Sequence, residues 1–234
     1  AISILTTFGI LFSILFEAIE FFQLRSFWYF LTGTIWSPGV ANSQFGALPI
    51  FAGTFVITII ALLVAIPIGL GSAIYMSEYA SPKFRDYLKP ILEILAGIPT
   101  VVYGFFAAIT VAPLVVKAAA FFGLEATFNS ALASGIVMGI MIIPLISSLS
   151  DDVIRAVPDS QRKAAFALGM THGETIKNIV IPSAMPGIIS ASLLALSRAL
   201  GETMIVVMAA GLRPNLSWNP LEDMTTVTVT IVNS

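Results

Sequence analysis

The chain has 234 residues, 57% of them hydrophobic and 10% charged, with a mean hydropathy of +0.96. A soluble domain carries about 25% charged residues, so this composition excludes an ordinary soluble protein and makes the chain integral to a membrane. A net charge of −2 without any basic run argues against nucleic acid as a partner, the lack of cysteine excludes disulfides and thiolate chemistry, and a lone histidine, His172, cannot build a histidine metal cluster.

The chain opens at Ala1 inside an apolar run, with no initiator Met and no signal-peptide n-region, which predicts that part of the N-terminus is missing. Five apolar runs then follow, each long enough for the ~20 residues that cross a bilayer core. The first covers Ile2 to Phe22, with Glu17 and Glu20 near its end at the interface. An outer loop with Trp28, Tyr29, Phe30 and Trp36 reads as an interfacial aromatic belt or a packed lip. The second run is Leu48 to Tyr79, containing Pro67, Gly69 and Gly71. The third, Ile91 to Phe122, is interrupted by "AGIPTVVYG", where Gly97 and Pro99 should break the helix. Broken backbone at membrane depth is tolerated only where it lines protein or a wet cavity. The half-helix after Pro99 would aim amide groups and Thr100 at that cavity, with Tyr103 adding a hydroxyl; a simple packing kink is the alternative.

The fourth run is Ala131 to Ser150, with Pro144 inside and Ala131, Gly135 and Gly139 spaced for helix packing. The fifth is Ser183 to Leu212. It holds Arg198 and Glu202, with Thr203 beside them, in an otherwise apolar stretch. A charge inside a bilayer is costly and is a functional hypothesis by default. Glu202 lies one turn beyond Arg198 on the same face and can neutralise it. Either the two form a structural ion pair, or Arg198 lends its planar fork to an oxyanion while Glu202 holds it in place. The methionines Met138, Met141, Met204 and Met208 read as core or lipid-facing side chains. The tail after Arg213 ends in "TTVTVTIV", which reads either as a strand by its period of two or as a short helix leading into a further span.

Lys and Arg orient the chain. Seven of them (Lys83, Arg85, Lys89, Arg155, Arg162, Lys163 and Lys177) fall in the loops after the second and fourth runs, against Arg25, Lys117 and Arg213 on the other side. The first set and the N-terminus are therefore cytoplasmic. The cytoplasmic loop 151–182 is structured: Pro158, Asp159 and Ser160 start a short helix that Gly169 stops. Thr171-x-x-Glu174 is a capping box opening a second helix, with His172 an exposed residue of the cap region. This helix should end before Pro182, because the residue preceding proline avoids helical geometry. The small residues Ala164 and Ala165 suit docking to a soluble partner; an amphipathic pair lying on lipid is the other reading.

The stretch "AAFALGMTHGETIKNIVIP" resembles the signature loop of ABC importer permeases. Ala164, Ala165, Gly169, Ile179 and Pro182 fall on the motif positions, Lys163 stands where the family has Glu, and Ile181 where it has Leu. "FGALPIFAGT", "LAGIPTVVYGFF", "MIIPLI" and "RALGETM" are similar to phosphate importer permeases, of the PstC rather than the PstA type; the similarity runs from about Phe45 to Gly211. The resemblance implies an all-α polytopic bundle in the bacterial cytoplasmic membrane: one permease domain over residues 1–234, about five spans present and a final one missing. It also implies that Lys163, Ala164, Ala165, Gly169, Ile179 and Pro182 belong to a loop coupled to an ATPase. Arg198 and Glu202, with Thr203, Thr100 and Tyr103, would line the phosphate path. The chain itself would be no enzyme and hold no cofactor, since no Gly-Lys-Ser/Thr phosphate loop is present; ATP and Mg would be bound by a partner ATP-binding dimer. The other partners implied are a second permease of the PstA type, an extracytoplasmic phosphate-binding protein and the lipid bilayer. A sulfate or molybdate permease, an ion-coupled secondary transporter or channel, and a purely structural membrane subunit are the alternatives.

Overall fold

A computed structural model of the chain describes residues 2–39 and 43–233. Among them the elements are α1 (Ile2–Leu24), α2 (Phe27–Thr32), a two-residue hairpin β1 (Trp36–Ser37) and β2 (Gln44–Phe45), α3 (Leu48–Ile74), α4 (Pro82–Ala96), α5 (Thr100–Phe106), α6 (Ala112–Phe121), α7 (Ala131–Arg155), α8 (Asp159–Ala167), α9 (His172–Thr175), α10 (Ile181–Leu200), α11 (Met204–Ala209) and α12 (Val227–Asn233). One-turn π segments join α3 to Tyr79, α5 to α6, and α9 to α10. Five of the resulting helices are long and apolar enough to cross a membrane: 4–24, 48–79, 100–121, 131–155 and 172–200.

The centre is α3 against α7. The two run parallel, as the second and fourth crossings of an alternating chain must. Their close approach is set by glycines. A Cβ on Gly135 would lie 2.7 Å from Ile60, one on Gly139 2.8 Å from Val64, and one on Gly69 2.9 Å from Ile146. The packing expected of Gly135 and Gly139 is what the structure shows. Ser147 donates to Ser72 further along the same seam, at 3.1 Å. Pro67, Pro144 and Pro186 all sit inside continuous helices. α10 packs antiparallel on α7, with Gly187 directly against Val153. By contrast, the apolar helix α1 has no buried residue over 4–24. An edge-to-face aromatic cluster of Phe21, Phe22, Phe30, Trp36 and Phe45 ties its end to the hairpin.

Two sequence expectations change and one open choice closes. The fifth apolar run is not one helix: α10 stops at Leu200, and α11 begins after Gly201, Glu202 and Thr203. The helix of the cytoplasmic loop does not end before Pro182. Ile181 is helical at φ −62°, ψ −47°, and its amide bonds to Ile176 O five residues back, so residues 172–200 are continuous. The π turn shifts the bonding register and so accommodates a residue without an N–H. The "TTVTVTIV" segment is helical at Val227–Asn233, which settles the open choice against a strand.

The loops rich in Lys and Arg share one end of the bundle and Trp36 and Trp218 belong to the other, which gives a topology experiment. The chain has no native cysteine. A cysteine at 163 should be labelled by an impermeant thiol reagent only after the membrane is opened, and one at 218 from outside intact cells. Labelling of position 163 from outside would invert the topology.

Candidate functional site

α10 buries a stripe of Ala184, Ile188, Ala191, Ala195 and Ala199, at helical spacing, against its neighbours. Arg198 lies on the flank of this stripe, three residues beyond Ala195. It is exposed, carries no ion pair among the described residues, and lines a groove of about 350 Å³ with Leu145, Leu194 and Ser197. Leu145 lies eight residues up α7 from Val153, or about 12 Å at 1.5 Å per residue. The guanidinium thus sits well away from the cytoplasmic end, along the middle of α7.

Glu202 is not on the face of α10, contrary to the i,i+4 reading. Gly201 ends that helix, and the carboxylate turns to cap α11 instead. It accepts hydrogen bonds from Met204 N (3.1 Å) and Ile205 N (3.3 Å) at 7% exposure. A carboxylate on the free amides of a helix start is favourable on both hydrogen-bonding and dipole grounds. Thr228 of α12 donates to the Glu202 carbonyl at 3.0 Å and so fixes the break from the other side. Thr203 is the cap residue of α11 but makes no side-chain cap bond.

The Gly97–Pro99 break is present as the sequence predicts, between α4 and α5. It lies beside the second break. A Cβ on Gly104 would meet Met208 Sδ at 2.7 Å and Met204 O at 3.2 Å, so the glycine favours the close approach of α5 and α11. Tyr103, one residue earlier, donates to Leu95 O across the hinge at 2.9 Å and lies within the electrostatic reach of Arg198. Thr100 is half-buried in the first turn of α5. Two helix starts, a tyrosine hydroxyl and an unpaired guanidinium are thereby gathered around one pair of breaks. Tyr103 spends its hydroxyl on the hinge, Arg198 lines the groove, and Glu202 serves the backbone.

In the cytoplasmic loop, α8 ends at Gly169 with φ +83°, a left-handed conformation that suits glycine, and Met170 N returns to Ala165 O at 3.2 Å. The capping box is complete: Glu174 N donates to Thr171 Oγ1 at 3.4 Å and Thr171 N to Glu174 Oε2 at 2.8 Å. The Thr171 amide, then its hydroxyl, holds the Glu174 carboxyl below its usual range, so this cap persists at neutral pH and is lost only as pH falls through that lowered value. Ala164, Ala165, Ile179 and Pro182 line an open groove of about 540 Å³ with Leu168 and Met170. Lys163 is exposed on α8, and Gly169 has no atom near the place of its missing Cβ.

Residues 65–223 match the family described as binding-protein-dependent transport system inner membrane component. The chain belongs to this family. The matched range contains both helix breaks, Arg198 and the whole cytoplasmic loop. This permease is 37% identical over 202 residues to a probable ABC transporter permease protein, YqgH, of Bacillus subtilis, covering 86% of this chain and 64% of that one. It is 33% identical over 235 residues to the phosphate transport system permease protein PstC 1 of Mycobacterium tuberculosis, covering 88% and 70%. The permease thus spans about two thirds of the length of these relatives. A methionine ABC transporter solved in inward-facing conformations shares the fold at a TM-score of 0.52 and 19% identity, over 70% of this chain and 73% of that one. Fold and family agree on a multi-pass helical protein of the cytoplasmic membrane.

Sequence reasoning missed the charges that hold the cytoplasmic end. Asp151 is buried in the last turns of α7 and accepts from Arg85 Nη2 at 2.6 Å and Nε at 3.2 Å; Lys89 reaches Asp152 at 2.5 Å. Glu78, in the π turn ending the second span, takes Arg162 of α8. The one available signal was that these carboxylates lie where a long apolar run meets a basic loop. His172 is at the cap as expected, yet it also stacks on Phe166 and meets Tyr79 edge-on.

Proposed function

We propose that this permease forms half of the membrane path of an ATP-driven phosphate importer, with Arg198 on the path. The observation that carries the reading is an exposed arginine in the last turn of α10, beside a helix break and without a carboxylate partner among the described residues, in a chain whose relatives include phosphate transport permeases. A guanidinium binds a tetrahedral oxyanion through paired hydrogen bonds and keeps its charge at any physiological pH. Because Arg198 faces outward from its own subunit, the path is completed by a second, similar permease of the PstA type. An extracytoplasmic phosphate-binding protein delivers the ion. Glu202 shapes the break that presents Arg198, and Thr100, Tyr103 and Thr203 supply the remaining polar surface.

ATP and Mg belong to a separate dimeric ATP-binding subunit that docks on the groove of Ala164, Ala165, Ile179 and Pro182, with Lys163 at its edge. Ala164→Leu tests the docking. Leucine is a good helix former and Ala164 is exposed, so the membrane domain should fold while recovery of the co-purified ATPase falls several-fold. Normal recovery would show that α8 is not the docking surface. Gly169 is a poorer probe, because its φ of +83° penalises any side chain by about 1 kcal/mol before docking is considered.

The function itself is tested in cells lacking phosphate import. Reintroducing the permease with its partners should restore uptake of labelled phosphate, with excess unlabelled phosphate competing and sulfate or molybdate not. Competition by sulfate alone would assign another oxyanion.

A further inference from the structure

The cytoplasmic loop meets the membrane helices through an apolar cluster, in which Val157 and Val180 pack with Ala73 and Ile154, and through a charged contact. Glu78 closes α3 in the π turn Tyr75–Tyr79, with its side chain 4% exposed. Arg162 of α8 reaches it through Nη1, while Nη2 of the same guanidinium donates to Ile154 O in the last turn of α7 at 2.9 Å. The second carboxylate oxygen of Glu78 lies 3.8 Å from Nε2 of His172, the first residue of α9. That ring stacks on Phe166 of α8, with centroids 6.2 Å apart and planes at 17°, and Tyr79 meets its edge at 5.2 Å.

We propose that Glu78, gripped by Arg162, is the positioning residue that gears the cytoplasmic loop to the α3–α7 pair, so that displacement of the loop by ATP hydrolysis moves both helices together. This rests on the ATP-driven reading above. Three observations point to gearing rather than to simple cohesion. A buried ion pair adds little net stability compared with well-packed apolar residues, so a pair here contributes position more than stability. The planar fork of Arg162 addresses α3 and α7 at once, at fixed angles, which an ammonium cannot do. The two helices it grips are locked along their length by the glycine contacts at Gly69, Gly135 and Gly139, so they respond as one body.

The whole importer, purified with its second permease and ATP-binding subunits and reconstituted in vesicles, provides the test. Phosphate moved per ATP hydrolysed is the readout, since a merely structural role would change the amount of complex and not this ratio. Glu78→Gln keeps the shape and removes the charge; the ratio should fall at least about fivefold, the lower end of typical coupling between sites, and Arg162→Lys should fall between it and the native protein. Glu78→Cys with Arg162→Cys leaves no unpaired buried charge, and the chain offers no competing thiol. That pair should be uncoupled when reduced and should regain the ratio when bridged by a short bifunctional thiol reagent. A native ratio in Glu78→Gln, or no recovery on bridging, overturns the proposal. An unaltered complex that hydrolyses ATP without moving phosphate counts instead against the importer reading.

Discussion

Arg198→Gln should lower phosphate uptake about a hundredfold, with insertion and assembly intact. The guanidinium is exposed along the groove with Leu145, Leu194 and Ser197, so no packing depends on it. Its loss removes charge-assisted hydrogen bonds worth ~2–3 kcal/mol, and every 1.4 kcal/mol is a factor of ten. Arg198→Lys keeps the charge and loses the fork, so uptake should fall only part of the way. Glu202→Gln should be mild: an amide oxygen still accepts from Met204 N and Ile205 N, and only part of the dipole interaction is lost, ~0.5–1 kcal/mol. If Arg198 were a structural partner of Glu202, neutralising both would rescue what either single change lost. The geometry predicts no such rescue, because the carboxylate is committed to α11. Labelled-phosphate uptake at matched membrane levels separates the two cases.

The second large effect is on stability. Arg85→Ala should destabilise the membrane domain by ~3–5 kcal/mol, because it strands the Asp151 carboxylate, whose side chain is 1% exposed, as a buried charge without its partner. The other oxygen of that carboxylate already has no hydrogen-bond partner. Arg85→Met with Asp151→Leu, which removes both charges, should recover most of the loss. Thermal unfolding in detergent reads the difference. A single variant as stable as the native chain would show that the pair does not anchor α4 to α7.

Much of this architecture was legible in the sequence because the bilayer imposes a simple length rule. The apolar runs became spans, Gly97 and Pro99 broke the chain where they should, and Gly135 and Gly139 became contact points. Strong local chemistry was legible too: Thr171 with Glu174 formed its capping box, and Gly169 took the left-handed turn. What failed was inference that assumed regular helix. Pro182 was absorbed by a π turn. Gly201, a helix end hidden inside an apolar stretch, redirected Glu202 from Arg198 to the amides of α11. Contacts distant in sequence, such as Glu78 with Arg162 and Arg85 with Asp151, leave no periodic trace. A glutamate at the end of an apolar run looks the same whether it faces water or a buried arginine.

Phosphate moving along Arg198 at the expense of ATP hydrolysed by a separate subunit is the central proposal. The direct measurement is uptake of labelled phosphate into vesicles holding the assembled importer and its binding protein, with ATP and a proton gradient supplied separately. Uptake should require ATP, be indifferent to the gradient, and collapse in Arg198→Gln. Uptake driven by the gradient without ATP, or native uptake in Arg198→Gln, would contradict it.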